Sequence, residues 1–208
     1  MAPQTRQRIL DCALAMFNAQ GEPNVTTNHI ADELEISPGN LYYHFRNKDD
    51  IIEQLFGRYE ERIGAAMTVP DGRLPDLEDI WLQMHLVFEC IWDYRFLYRD
   101  LVDILSRNRR LRLRFARILK RATENATTVI RGLAQAGILR ASVAEMEALA
   151  TNLLVLATFW LNYAAARGDQ DEARSIRQGI VQVMMLISPF LRDAERVHLN
   201  TLSQAYAD

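Results

Sequence analysis

An all-α fold is predicted for this 208-residue chain from three observations. Apolar residues recur at spacings of three and four over long stretches, extended β-branched alternations are scarce, and glycine and proline are few. Hydrophobic residues make up 49% of the chain, enough to build a core for one large domain or for a small domain joined to a larger one.

The elements follow in order. A first helix spans about residues 5–20, with Ile9, Leu10, Ala13, Leu14 and Phe17 on one stripe and Gly21 as its stop. A second opens at Thr26 and Thr27 and buries Ile30, Ala31 and Leu34. After a tight turn at Glu35 and Ile36, Ser37 caps a third helix whose first position is Pro38, where a missing N–H costs nothing. Asn47 caps the fourth, with Asp50 three residues on and Ile51, Ile52, Leu55, Phe56 and Tyr59 as its apolar run. The segment VPDGRLP, residues 69–75, is the clearest break. It divides the chain into a module at 1–47, a connecting helix at 48–68 and a larger part at 69–208. Beyond it the pattern predicts helices near 76–94, 96–106, 109–136, 143–166 and 171–188, with Ser142 and Glu145 as a capping box. Pro189 ends or kinks the last of these, and the final dozen residues read as polar and loose.

Several function classes are excluded or disfavoured. The net charge of −3 gives no general attraction to nucleic acid. Cys12 and Cys90 fit no metal or redox spacing and read as reduced structural thiols of a cytoplasmic protein. The start, MAPQTRQRIL, lacks the apolar core of a signal peptide. Residues 148–166, ALATNLLVLATFWLNYAAA, carry no charge, but Thr151, Asn152, Thr158 and Asn162 are spread through them. That mixture suits a helix buried within a soluble assembly better than a bilayer span. There is no nucleophile elbow or phosphate loop, and His29, His44, His85 and His198 form no metal cluster, so neither an enzyme nor a cofactor is expected.

The stretch ISPGNLYYHFRNKDD, residues 36–50, is the most informative. On a helix of 38–45, Leu41 and Phe45 share the inward face. Gly39, Asn40 and Tyr43 lie nearly opposite, with Tyr42 and His44 on the flanks. A short helix presenting a small residue, an amide and an aromatic, and packed on another helix across a tight turn, has the make-up of a helix-turn-helix. Glycine allows close approach to a groove floor, Asn40 offers paired donor and acceptor to a base edge, and Tyr43 brings a ring to a thymine methyl. Lys48, opening the next helix, is placed for a phosphate beside that helix's positive end.

Residues 5–56 resemble the DNA-binding module of the TetR family of bacterial transcriptional repressors. The resemblance rests on TTNHIADELEISPGNLYYHFRNKDDII, which carries T-x-x-x-I-A, I-S-x-G-x-L-Y-x-H-F and K-x-x-I elements. It implies that Thr27, Tyr42, His44 and Lys48 hold the phosphate backbone, that Asn28, Gly39, Asn40 and Tyr43 meet bases, and that Ser37 belongs to the same surface. It also implies a double-stranded palindromic operator, a homodimer and a small-molecule inducer that is at least partly apolar. The alternative is a TetR-like fold acting mainly as a protein-interaction or nucleoid-associated factor. Glu35 departs from the family, which commonly has glycine there: either it takes a left-handed conformation or the turn differs. Within residues 1–50, Arg6, Arg8, Arg46 and Lys48 face the acids Asp11, Glu22, Asp32, Glu33, Glu35, Asp49 and Asp50. A module so acidic implies moderate affinity per monomer, with dimerisation contributing the rest.

In the larger part the resemblance implies dimerisation and a ligand pocket. Ala150, Ala157 and Ala164 recur every seven residues, joined by Leu153, Trp160 and Leu161, and suit a close helix seam. With Ile176, Ile180, Val183 and Ile187 on the following helix, they form the expected four-helix dimer interface. The opposite face, Asn152, Val155, Phe159 and Asn162, together with Trp81, His85, Phe88 and Trp92, is the expected pocket lining. Residues 107–121, RNRRLRLRFARILKR, hold cations and no acid. They read either as a solvated face or as partners for Asp11, Glu60 or Glu61 near the DNA-binding module.

Overall fold

The computed structural model describes residues 2–68, 72–169 and 171–207, and the regular elements among them are helical. They are α1 (Ala2–Gln20), α2 (Thr27–Glu33), α3 (Pro38–His44), α4 (Lys48–Ala66), α5 (Leu77–Asp93) and α6 (Arg95–Arg99). Then follow α7 (Leu101–Arg107), α8 (Arg109–Gln135), α9 (Val143–Ala166), α10 (Glu172–Ile187) and α11 (Asp193–Ala207). Two compact units result. The first takes the described part of Met1–Arg62 with Asp93–Arg114, and the second Ile63–Trp92 with the described part of Phe115–Asp208. Packing therefore groups residues 93–114, assigned from the sequence to the larger part, with the amino-terminal helices.

In the first unit, Ile9, Ala13 and Phe17 of α1 are buried, as are Ile30 of α2, Leu41 of α3, and Ile52 and Phe56 of α4. Each such isoleucine, leucine or phenylalanine stabilises by about 1.5–3 kcal/mol. The caps predicted at Ser37 and Asn47, with a further one at Thr26, fix where the helices start. Thr26 and His29 form a reciprocal capping box at α2. Ser37 Oγ accepts the Asn40 N–H at 3.2 Å, and Asn47 Oδ1 accepts the Asp50 N–H at 2.9 Å. Each is worth about 1 kcal/mol. Between α2 and α3, Glu35 stands at φ 54°, so the chain adopts the left-handed turn with a side chain where glycine would be free of strain. Asn18 secures α6 to α1: its amide donates to the Asp93 carbonyl at 2.8 Å and its oxygen accepts the Phe96 N–H at 3.1 Å. The single helix predicted at 96–106 is broken into α6 and α7 at Asp100, whose carboxylate turns to accept the Glu22 N–H at 3.0 Å.

In the second unit, α9 packs on α10. Gly179 is the point of closest approach: a Cβ there would lie 2.6 Å from Phe88 and 2.7 Å from Trp160. The Trp160 indole N–H donates to the Ser175 carbonyl at 2.7 Å. Asn125 and Gln83 donate to the Met67 and Thr68 carbonyls at 2.8 and 3.0 Å, satisfying acceptors left at the end of α4. Pro189 sits in the 3-10 turn Ser188–Phe190 that ends α10, as its missing N–H requires. The loose terminus read from the sequence is instead α11, which buries Leu199 and Ser203 and sets His198 Nε2 2.8 Å from Glu78 of α5. Its apolar stripe is one leucine and small residues wide, too sparse to register as periodicity.

Candidate nucleic-acid interface

α3 has seven residues and one inward side chain, Leu41, with Phe45 just beyond; both are buried. Everything else on it faces out. Tyr43 is 81% exposed, and Gly39, Asn40 and Tyr42 are exposed beside it, as are Asn28 and Ser37. Thr27 and His44 are half-buried at the edges. The Thr27 and Tyr42 hydroxyls are 3.1 Å apart, which orients two groups expected at phosphates. The His44 ring meets Tyr43 edge-on, 5.1 Å between centroids, and limits where the tyrosine can point. A Cβ on Gly39 would meet nothing nearer than Ser37 Oγ at 3.9 Å. Packing within the fold therefore does not require glycine there.

Lys48 is placed differently from the expectation. Its ammonium donates to the Glu22 and Val25 carbonyls at 3.0 Å each and lies 2.8 Å from Glu22 Oε1. The other Glu22 carboxylate oxygen binds Arg107 of α7. Glu22 is fully buried, and sequence reasoning missed it, because no spacing rule connects positions 22, 48 and 107. Burial raises the neighbouring Asp100 carboxyl above the ordinary carboxylate range, although the Glu22 N–H bond opposes the rise.

The arginine-rich run does find carboxylates. Arg110 meets Glu53 at 3.0 Å, and Arg114 meets Glu60 at 2.7 Å while lying over the Phe56 ring. Asp11 pairs with Arg58 and not with the run. The exposed pair contributes about 0–1 kcal/mol, so these contacts orient more than they stabilise.

The two faces of α9 differ in burial within the chain. Ala150, Trp160, Leu161 and Ala164 are buried in the unit's own core, with Leu153 and Ala157 half-buried. On α10, Ile180, Val183 and Ile187 are buried and Ile176 is half-buried. The helix that comes close to α9 is α10, where Gly179 lies against Trp160. Asn152, Val155, Phe159 and Asn162, expected in a pocket, are exposed on the outer face together with Tyr163. On α5, Phe88 is buried, while Trp81, His85 and Trp92 are half-buried, with His85 Nδ1 2.7 Å from the Trp81 carbonyl. One hollow of about 250 Å³ lies by Thr68, Arg73, Asp79, Leu82 and Leu86, and one of about 300 Å³ by Arg167, Asp169, Arg174 and Ser175. Neither is lined by the eight residues expected there.

Residues 9–55 match a family model described as bacterial regulatory proteins of the tetR family, and residues 58–199 match one described as bacterial transcriptional repressor. A crystal structure of a TetR-family transcriptional regulator from Marinobacter aquaeolei VT8 is similar at TM-score 0.90 and 36% identity, covering 98% of this chain and 99% of that one. The HTH-type transcriptional regulator AcrR of Shigella flexneri is 36% identical over 74 residues, which span 36% of this chain and 34% of that protein. The chain thus spans about a third of the length of that curated relative. A complex of SmeT, the repressor of a Stenotrophomonas maltophilia multidrug efflux pump, with triclosan shares the fold at TM-score 0.61 and 22% identity, over 92% of this chain and 94% of that one. This chain belongs to the TetR family of bacterial transcriptional regulators.

Proposed function

We propose that the chain is a homodimeric transcriptional repressor that reads a palindromic operator with α3 and leaves it on binding a small, partly apolar molecule. The observation that carries this reading is the outer face of α3, where Gly39, Asn40 and Tyr43 stand exposed over a helix anchored by Leu41. Asn40 supplies a bidentate pair to a base edge in the major groove and Tyr43 an apolar contact to a thymine methyl. Thr27, Tyr42 and His44 hold phosphates at the rim and set the register.

The exposed apolar face of α9 supports dimerisation. The helix's most apolar 18-residue window has a mean hydropathy of 1.4 but is only 33% buried within the chain. A second copy that covers Val155, Phe159 and Tyr163 removes that apolar surface from water and sets two α3 helices at a fixed separation. The acidic module makes two half-sites necessary, because each monomer neutralises few phosphates. The operator lies in the cytoplasm, where this regulator acts. For ligand response, α4 and α8 are the levers, since each begins in the first unit and continues into the second. Driving the population from 1:99 to 99:1 requires about 10⁴-fold preference of the inducer for the released state.

Selection of bound duplexes from a random DNA pool, followed by footprinting, tests the reading. A single palindrome protected on two major-groove faces is expected. Uniform protection without sequence preference would favour a nucleoid-type coating role and remove the repressor.

A further inference from the structure

Lys48 donates through its ammonium to two carbonyls of the Glu22–Val25 turn and lies at ion-pair distance from Glu22 Oε1, all inside its own unit. Its side chain is 24% exposed, while that of Glu22 is 0% exposed. One buried carboxylate is therefore shared by two cations from different helices, Lys48 at the start of α4 and Arg107 at the end of α7. The turn they grip leads directly into α2 through Val25 and the Thr26 cap. Asp100, at the α6–α7 junction, fixes the same turn through the Glu22 N–H. Gly21 precedes it at φ 81°, so the turn has a backbone that most residues would resist.

We infer that Lys48, Glu22 and Arg107 form a buried ion triad that positions α2 and α3 for DNA and ties them to α7, with Lys48 acting from inside the unit and not as a ligand of phosphate. Glu22 and Arg107 are positioning residues: neither is on the outer face of α3, and both act through the turn before α2. The chemistry favours permanence. The one buried carboxylate serves two cations: removing Glu22 leaves Lys48 and Arg107 without their shared partner, and removing either cation leaves one carboxylate oxygen without its ion pair. A shift of α7 therefore pulls on the start of α2 through Arg107, which makes the triad a route by which events outside the helix-turn-helix alter its affinity. This inference rests on the DNA-binding reading given above.

Salt-dependent titration of the full-length protein on its selected palindrome separates the two roles of Lys48. Each phosphate contact steepens the dependence of log affinity on log salt by about 0.9. For Lys48→Gln, Glu22→Gln and Arg107→Gln, the triad predicts a loss of at least about fivefold at every salt concentration with the slope unchanged, a coupling of ordinary allosteric size. The double variant Glu22→Gln/Lys48→Gln should bind better than the product of the single losses implies, because Lys48 is then no longer left beside an absent carboxylate. It also serves if a single variant does not fold. A slope shallower by about 0.9 for Lys48→Gln, with Arg107→Gln binding like the parent, would make Lys48 a phosphate ligand and overturn the triad's role. Tyr43→Ala runs alongside as the control: if it binds as the parent does, the DNA-binding reading fails and takes the inference with it, whereas a weakened Tyr43→Ala leaves the triad to be judged by its own slopes.

Discussion

The outer face of α3 and the outer face of α9 both present groups that the chain does not bury, yet they differ in kind. On α3 the exposed set is an amide, a glycine and two tyrosines over a single leucine anchor. On α9 it is Val155, Phe159 and Tyr163 between asparagines, on a helix that is apolar nearly all round. The first surface keeps its polar atoms available and suits a hydrated, charged partner whose base edges vary. The second suits a partner as apolar as itself, and a second copy of the chain is the simplest one. A helix thus reveals the chemistry of its partner by what it leaves exposed, more than by how much.

The largest expected effect breaks the comparison on the α9 side. Trp160→Ala should cost about 3–5 kcal/mol of stability in chemical denaturation, since Trp160 is 4% exposed and packs on Gly179. Phe159→Ala, one position away and 46% exposed, should change the stability of an isolated subunit by less than about 1 kcal/mol. Equal costs for the two would mean that α9 is oriented otherwise. Phe159→Arg tests the same face through assembly: sedimentation should find folded monomers with weakened operator binding, and a dimer as stable as the parent would move the interface elsewhere.

On the α3 side, Asn40→Ala and Tyr43→Ala should each reduce affinity for the selected operator by about 1–3 kcal/mol while leaving non-specific DNA affinity and thermal stability unchanged. A drop in melting temperature for either would make it a structural residue. The smallest effect belongs to the turn between α2 and α3. Glu35→Gly should raise stability by up to about 1 kcal/mol, since it relieves the φ of 54° at the cost of a freer unfolded chain. A fall in stability would show that the Glu35 side chain contributes more than its strained backbone costs.

What the sequence made legible follows from how local each signal is. The starts of α3, α4 and α9 were readable because a cap is a bond between residues three apart, as Ser37 with Asn40 and Ser142 with Glu145 illustrate. The outward face of α3 was readable because its inward face is so narrow that every other position had to face out. The orientation of α9 was not, because on a helix apolar on most sides the seven-residue alanine repeat locates a close crossing without naming the helix that makes it. The close approach to Trp160 comes from Gly179, which lies on the other helix. The break at Asp100 and the burial of Glu22 were hidden for the same reason: each depends on a partner more than 75 residues away, with Asp100 bound to the Glu22 N–H at a separation of 78. The arginine run was half legible, since the Glu60 partner was named and the Glu22 and Glu53 partners were not.

The central claim is that α3 reads a specific DNA sequence, and competition titration tests it most directly. The protein is measured against its selected palindrome and against a scrambled duplex of equal length, across a series of salt concentrations. Specific binding should be at least about 10³-fold tighter than binding to the scrambled duplex at physiological salt, with the difference lost in Asn40→Ala/Tyr43→Ala. Equal affinity for the two duplexes, or a preference that survives in the double variant, would contradict the account.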